Sequence, residues 1–242
     1  MLTILQSEWL KLRKSNMTGI LFVGPLIGLC IGLGADLPAG EGMNEWQMTV
    51  LVMNLGYALL FLPLITAVLA GLVCRYEHQA GGWKQLLALP VTRGSVFLAK
   101  YVLLLALALF MQLLYLAVIY TVGTMKGFTS PFPSEVIWKS ILGGWVAVFP
   151  LIALQLWMSI LFKSFAAPFA VNVMFTLPAI LAINSERFGP FYPWAQPFSM
   201  MYIGEGTNDV FFIPWEQLLT VVGGSFLLFF IGGYVHFQRK AV

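Results

Sequence analysis

The sequence predicts an all-α membrane protein with six transmembrane helices. Its amino and carboxyl termini are expected on the cytoplasmic side, with an interfacial helix at the N-terminal end and a short helix in one cytoplasmic loop. Three observations carry this. Of 242 residues, 60% are hydrophobic and only 10% charged, against roughly 25% charged in an ordinary soluble domain. The mean hydropathy is +0.87, more apolar surface than a soluble core of this length can hide, so a bilayer must solvate much of the chain. The basic residues crowd onto alternate loops, as they do in multi-pass proteins. This composition excludes a secreted globular domain, a disordered chain and a nucleic-acid-binding module.

The runs follow in order. The first is Met17 to Ala35, the second about Met48 to Cys74 and the third about Val96 to Gly123, with Lys100 in its first turn. The fourth is about Ile141 to Phe162, the fifth about Ala166 to Ile183 and the sixth about Leu218 to Phe237. A crossing helix takes about 20 residues, and the fifth run is at the short end. Only Lys163, Ser164 and Phe165 separate the fourth and fifth runs, which forces a tight hairpin with Pro168 in the first turn of its second arm. Merging these two runs would give an overlong helix with a lysine in its middle. With the N-terminus inside, the inner segments hold Lys11, Arg13, Lys14, Arg75, Lys84, Arg93, Lys100, Lys163, Arg239 and Lys240. The outer ones hold only Lys126, Lys139 and Arg187. No repeat or low-complexity segment divides the chain, so residues 1–242 read as one membrane domain.

Residues 2–14 place Leu2, Leu5, Trp9 and Leu12 at helical spacing, with Gln6, Lys11, Arg13 and Lys14 towards the other side. Such a segment either lies in the interface as an amphipathic helix or is a plain basic anchor. The apolar run that follows is too long for the core of a cleavable signal peptide. In the segment Arg75 to Lys100, Trp83, Leu86 and Leu87 share one face of a short helix that Pro90 stops, and Thr92 or Ser95 can cap the next helix. The face can enter a groove on a soluble partner, with Glu77, Lys84 and Arg93 as orienting charges, or lie flat on the membrane. Gly81-Gly82 reads as a flexible start to this helix. The stretch Asn184 to Gln217 is long for a connection and interleaves prolines with aromatics, which suits either an outer gate or an aromatic seal.

Few polar groups lie within the spans. Asn54, Gln112, Gln155 and Asn172, with Thr66, read as interhelical hydrogen-bonding groups or as a sparse translocation path. No Asp, Glu or His lies deep in a span, which speaks against a proton-driven carrier. Pro25, Pro63, Pro150 and Pro178 are candidate kinks. Cys30 and Cys74 lack disulfide or metal spacing and read as small buried hydrophobes. No P-loop, H-E-x-x-H or G-x-S-x-G motif is present. Any ATPase that powers this chain is therefore expected on another polypeptide.

The pattern Glu77, Gly81, Trp83, Lys84, Leu86, Leu87, Pro90, Arg93 and Lys100 resembles the cytoplasmic loop of type-2 ABC exporter permeases. It is closest to the small lantibiotic-immunity and bacitracin-resistance permeases. Glu8-Trp-Leu-Lys-Leu-Arg-Lys14 is similar to the start of the same family. The resemblance implies an elbow helix at 2–14, a coupling helix at 77–89 and an extracellular cap segment at 184–217. It implies coupling to the ATPase through Glu77, Trp83, Lys84, Leu86, Leu87 and Arg93. It further implies a dimer of cytosolic ABC ATP-binding subunits, a second permease identical or related to this one, and no cofactor in this chain, Mg-ATP being held by the partner. The cargo would be a peptide antibiotic or other amphipathic compound, exported from a bacterial cytoplasmic membrane for immunity or resistance. The competing reading from the residues alone is an ATP-independent channel or scaffold. A membrane enzyme would need a cluster of reactive groups at one depth, and the sequence shows none.

Overall fold

The structure is a computed structural model that describes residues 2–14, 19–35, 44–79, 81–204 and 214–240. Among these residues all regular structure is helical. Helix α1 (Leu2–Lys14) precedes α2 (Ile20–Gly34). Helix α3 (Glu45–Gly56), a π turn (Tyr57–Phe61) and α4 (Leu62–His78) form one continuous rod, followed by the short α5 (Gly82–Leu87) and the long α6 (Arg93–Lys126). Then come α7 (Ser134–Ala147), α8 (Phe149–Leu161), α9 (Ala166–Ala182), a 3-10 turn (Gly189–Phe191), α10 (Gln196–Met201) and α11 (Trp215–Arg239).

Four helical rods are long and apolar enough to cross a membrane: 45–78, 93–126, 134–161 and 215–239. The apolar helices α2 and α9 are shorter, at 15 and 17 residues. At about 1.5 Å per residue they fall short of a ~30 Å hydrocarbon layer. End contacts set the directions: 45–78 and 93–126 run antiparallel, and 134–161 and 215–239 end at the same level. Lys100 at the start of α6 reaches Glu77 at the end of α4, and Lys240 after α11 reaches the Ile160 carbonyl at the end of α8. Helix α1 and residue 240 therefore meet at the same end of the bundle.

Local chemistry explains the boundaries. Asn44 caps α3 reciprocally: its side chain accepts from Gln47 N–H at 2.9 Å, and the Gln47 side chain accepts from Asn44 N–H at 3.0 Å. The expected kink at Pro63 takes the form of the π turn. Pro63 has no N–H for the carbonyl four residues back, and the wide turn closes with Leu62 N–H on the Tyr57 carbonyl instead. Pro150 sits just after the break at Val148 that separates α7 from α8. Pro25 and Pro178 lie inside α2 and α9. Thr92, not Ser95, caps α6, its hydroxyl accepting from Ser95 N–H. Gly127 ends that helix at φ +69°. The hairpin between α8 and α9 is as tight as expected, with Ser164 Oγ accepting from Ala166 N–H.

Two segments take positions that the sequence left open. The inward face of α1 is centred on Glu8 and Leu12, both buried, whereas Trp9 is exposed; the Leu2, Arg13 and Lys14 side chains lie outside the described residues. A buried ionic contact, described below, sets this rotation, and Leu5 and Trp9 line the apolar groove beside α2 and α6. The described part of the 184–217 segment, residues 184–204, is not confined to the surface. Helix α10 lies inside the bundle, with Phe198 and Met201 fully buried. The Met201 carbonyl accepts from Asn54 Nδ2 at 2.7 Å and from Ser140 Oγ at 2.9 Å. Broken backbone is tolerated at depth only where protein satisfies it in this way. Residues 205–213 of the segment lie outside the described residues.

Gly143 and Gly144 of α7 admit α10. A Cβ on Gly143 would lie 2.9 Å from the Met200 carbonyl oxygen, and one on Gly144 only 2.3 Å from Met201 Sδ. Gly143→Ala is expected to cost about 1–3 kcal/mol, because the obstruction is backbone. Gly224→Ala, with open space at its Cβ, is expected to leave stability unchanged or slightly raised. Thermal unfolding of the two variants in detergent checks both.

Candidate functional site

The turn that launches α5 depends on both of its glycines. Gly81 adopts φ +72°, a conformation natural to glycine. A Cβ on Gly82 would lie 2.7 Å from the Tyr76 carbonyl oxygen and 2.9 Å from Glu77 Cα. The pair is therefore a close backbone crossing and not a flexible start. It folds α5 back against the end of α4.

Trp83 enters the bundle through this turn. It is 7% exposed. Its ring meets Phe237 of α11 edge-on at 5.3 Å and His78 of α4 at 5.7 Å. Its indole N–H donates to His78 Nδ1 at 3.3 Å. With Nδ1 accepting, His78 carries its proton on Nε2, which donates to the Ser159 carbonyl of α8 at 2.6 Å. The Lys100 and Lys240 ammoniums stand 5.9 and 6.0 Å from the indole ring centre, within cation–π range. Burial chiefly, and then the neighbouring Lys163, hold the Lys240 ammonium below the usual lysine range.

Beside Trp83 lies a four-charge cluster. Lys100 is fully buried; it donates to Glu8 Oε2 at 2.6 Å and to the Val73 carbonyl at 2.8 Å, and it forms an ion pair with Glu77 Oε2 at 3.1 Å. Lys11 closes the square from the solvent side, 2.6 Å from Glu8 Oε1 and 2.7 Å from Glu77 Oε1. Two carboxylates and two ammoniums thus tie α1, α4 and α6 together with no net charge.

The sequence-predicted coupling residues divide between two roles. Glu77 and Trp83 point inwards. Arg93 donates to the Phe237 and Gln238 carbonyls at 3.2 and 3.3 Å, and to that of Lys240, so it caps the end of α11. Lys84 is exposed and Leu86 half-buried, and the Leu87 side chain lies outside the described residues. What α5 offers outwards is a groove of about 580 Å³ between α1 and the α4–α5 turn. Lys11, Tyr76, Gln79, Gln85, Leu86 and Leu89 contribute to its walls, and Tyr76 and Leu89 are exposed.

Asn54, Gln112, Gln155 and Asn172, the candidate translocation path, are all fully buried. The Tyr115 hydroxyl donates to Asn54 Oδ1 at 2.8 Å, and the Tyr57 hydroxyl donates to Gln112 Oε1 at 3.1 Å. The Tyr57 and Tyr115 rings stack at 3.7 Å. Asn172 Oδ1 accepts from Gln155 Nε2 at 2.7 Å and from Trp194 Nε1 at 2.8 Å, and its Nδ2 donates to the Pro63 carbonyl at 2.8 Å. In this conformation these amides brace helices, and a path through them would have to break the bonds just named.

Sequence reasoning did not assign Glu8, Lys11, Lys100 or His78 a site role. The signal was a lysine in the first turn of an apolar run, since such a charge must find partners when buried. Cys74 is buried as expected, whereas Cys30 is exposed. Among the described residues no group of His, Cys, Asp and Glu is placed to hold a metal.

The fold is a helical bundle that carries a short end helix fixed through Trp83 to α4, α6 and α11. The sequence model of the ABC-2 family transporter proteins matches residues 4–179, and the chain belongs to that family. It is a multi-pass membrane permease subunit of an ABC transporter, a kind of subunit that normally partners with an ATP-binding one. No curated protein and no solved structure matches the chain significantly.

Lys100→Met leaves Glu8 and Glu77 buried without their central cation and is expected to cost about 3–5 kcal/mol. The triple variant Glu8→Gln, Glu77→Gln, Lys100→Met is expected to recover part of that loss, because it leaves no unpaired buried charge. Unfolding in detergent measures both.

Proposed function

We propose that this chain is the exporter half-channel of an ATP-driven transporter, coupled through α5 to a dimer of cytosolic ATP-binding subunits that are separate polypeptides. The chain crosses the membrane six times with both termini in the cytosol, α2 and α9 making the two shorter crossings. It pairs with a second permease, identical or related. The observation that carries this reading is the construction of α5. Its outer edge, with Lys84 and Gln85, is exposed, and Gln85 and the following Leu89 line the groove beside α1. Its inner edge is fixed through Trp83 to α4, α6 and α11.

A push on α5 by closing ATP-binding subunits then moves three rods at once. Trp83 and Leu86 carry the load by packing, with Leu87 beside them in the sequence. Glu77 carries it through the Lys11 and Lys100 pairs into α1 and α6. Arg93 keeps the start of α6 attached to the end of α11. Lys84 and Leu89 supply the charged and apolar contacts to the partner. Nothing in this mechanism needs a cofactor in this chain, because Mg-ATP is bound by the partner.

The cargo reading remains that of the resemblance: a lantibiotic-like peptide antibiotic or other amphipathic compound drawn from a bacterial cytoplasmic membrane, for immunity or resistance. A groove of about 590 Å³ between α1, α2 and α6 suits the apolar part of such a compound. Leu5, Trp9, Phe22, Leu107 and Phe110 are among the residues lining it, and Gln6 is its polar member.

Pull-down from native membranes in mild detergent, with stoichiometry by mass spectrometry, tests the assignment. An ATP-binding cassette subunit is expected to co-purify. Lys84→Glu with Leu89→Asp is expected to cut its recovery at least tenfold, equivalent to about 1.4 kcal/mol of docking energy, without lowering the unfolding temperature of the permease. Recovery of a folded chain with no ATPase moves the assignment to an ATP-independent channel or scaffold.

A further inference from the structure

A second polar cavity lies at the same end of the bundle, meeting the α1–α5 groove at Gln79. It has a volume of about 220 Å³, where a single water needs only about 10–15 Å³. Arg75 at the end of α4, Gln79, Ser159 of α8, and Lys163, Ser164 and Phe165 of the α8–α9 hairpin contribute to its lining. No acidic residue lines it. Arg75 and Lys163 are both exposed, and among the described residues neither has a carboxylate within salt-bridge distance. The two cations thus flank a cavity that offers them no counter-charge.

Two further features give the cavity the character of a site. Ser159 is 2% exposed, yet its hydroxyl has no hydrogen-bond partner in the protein. A serine within a helix ordinarily donates to the carbonyl one turn back, and a buried hydroxyl left alone is costly. The cavity is also shaped by a required glycine. A Cβ on Gly71 would lie 2.7 Å from the Phe165 ring, so the glycine lets that ring lie over α4 as a wall. His78 also lines the cavity, but its ring is engaged by Trp83 and the Ser159 carbonyl. The first turn of the 17-residue α9 opens here as well, through Pro168, and brings the positive end of its dipole.

We propose that this cavity binds a phosphate oxyanion at the membrane surface, with Arg75 and Lys163 as counter-charges and the Ser159 hydroxyl as donor. The cavity sits where α4 and α8 end and α9 begins, at the level where a crossing rod meets the headgroups. Phe162 and Phe165, both partly exposed, flank it as aromatic side chains do at that level. A basic pocket between helix ends is the ordinary way to hold an anionic phospholipid headgroup. Free phosphate offers the same oxygens. The inference does not rest on the coupling role of α5 or on any cargo.

The test uses the full-length chain in nanodiscs of dioleoyl-phosphatidylcholine, with dioleoyl-phosphatidylglycerol added in one arm and millimolar inorganic phosphate in another. Phosphatidylglycerol is expected to raise the unfolding temperature by about 5 °C near saturation. Arg75→Gln with Lys163→Gln is expected to abolish that shift. Arg239→Gln with Lys84→Gln removes the same charge from outside the cavity and is expected to keep it. Ser159→Ala is expected to weaken binding about tenfold, while leaving the unfolding temperature without phosphate equal or higher, since it removes an unpaired buried hydroxyl. A shift with inorganic phosphate alone, lost in the Arg75/Lys163 variant, supports the site and makes a free phosphate its ligand. No shift in either arm, or a shift equal in the two double variants, overturns the proposal.

Discussion

The Lys100 ammonium is the charge around which one end of the molecule is arranged. Burying an isolated ammonium costs several kcal/mol even after relaxation. Here the cost is offset because the ammonium donates to a Glu8 oxygen and the Val73 carbonyl and pairs with the Glu77 carboxylate as well. Those partners come from α1 and α4. Helix α1 must turn Glu8 inwards, α4 must end where Glu77 faces α6, and the Val73 carbonyl must sit beside the ammonium. The ion cluster turns Glu8 inwards beside Leu12, and Trp9 stays at the surface.

The same logic fixes α5. A six-residue helix has no stability of its own, so its position comes from what holds it. The Gly81-Gly82 crossing brings it against α4, and Trp83 then reaches His78, Phe237 and the two ammoniums. Because one side chain touches several rods, α5 cannot shift without moving them or breaking these contacts. That is the mechanical property the proposed coupling role of α5 requires.

At mid-depth the organising groups are amides. Asn54, Gln112, Gln155 and Asn172 each make hydrogen bonds that cross between helices, and α10 is drawn in by the bonds that Asn54 and Ser140 make to the Met201 carbonyl. In hydrocarbon an unpaired amide or carbonyl has no water to turn to. The broken 184–204 stretch can enter the bundle only because these side chains meet its backbone and because Gly143 and Gly144 leave room for it.

The sequence by itself determined the all-helical membrane class, the order of the apolar runs, the tight α8–α9 hairpin and the short helix after α4. These follow from hydropathy, helical spacing and proline placement, which act over a few residues. It also marked Trp83, Glu77 and Arg93 as residues that matter, but on an outward surface. Only the tertiary structure decided that Trp83 and Glu77 face inwards, that Arg93 caps the end of α11, that Glu8 and Lys11 complete the Lys100 cluster, and that α10 is buried. The physical reason is distance along the chain: Glu8 and Lys100 are 92 residues apart and Asn54 and Met201 are 147 apart. No local periodicity encodes which buried charge or amide will meet which partner.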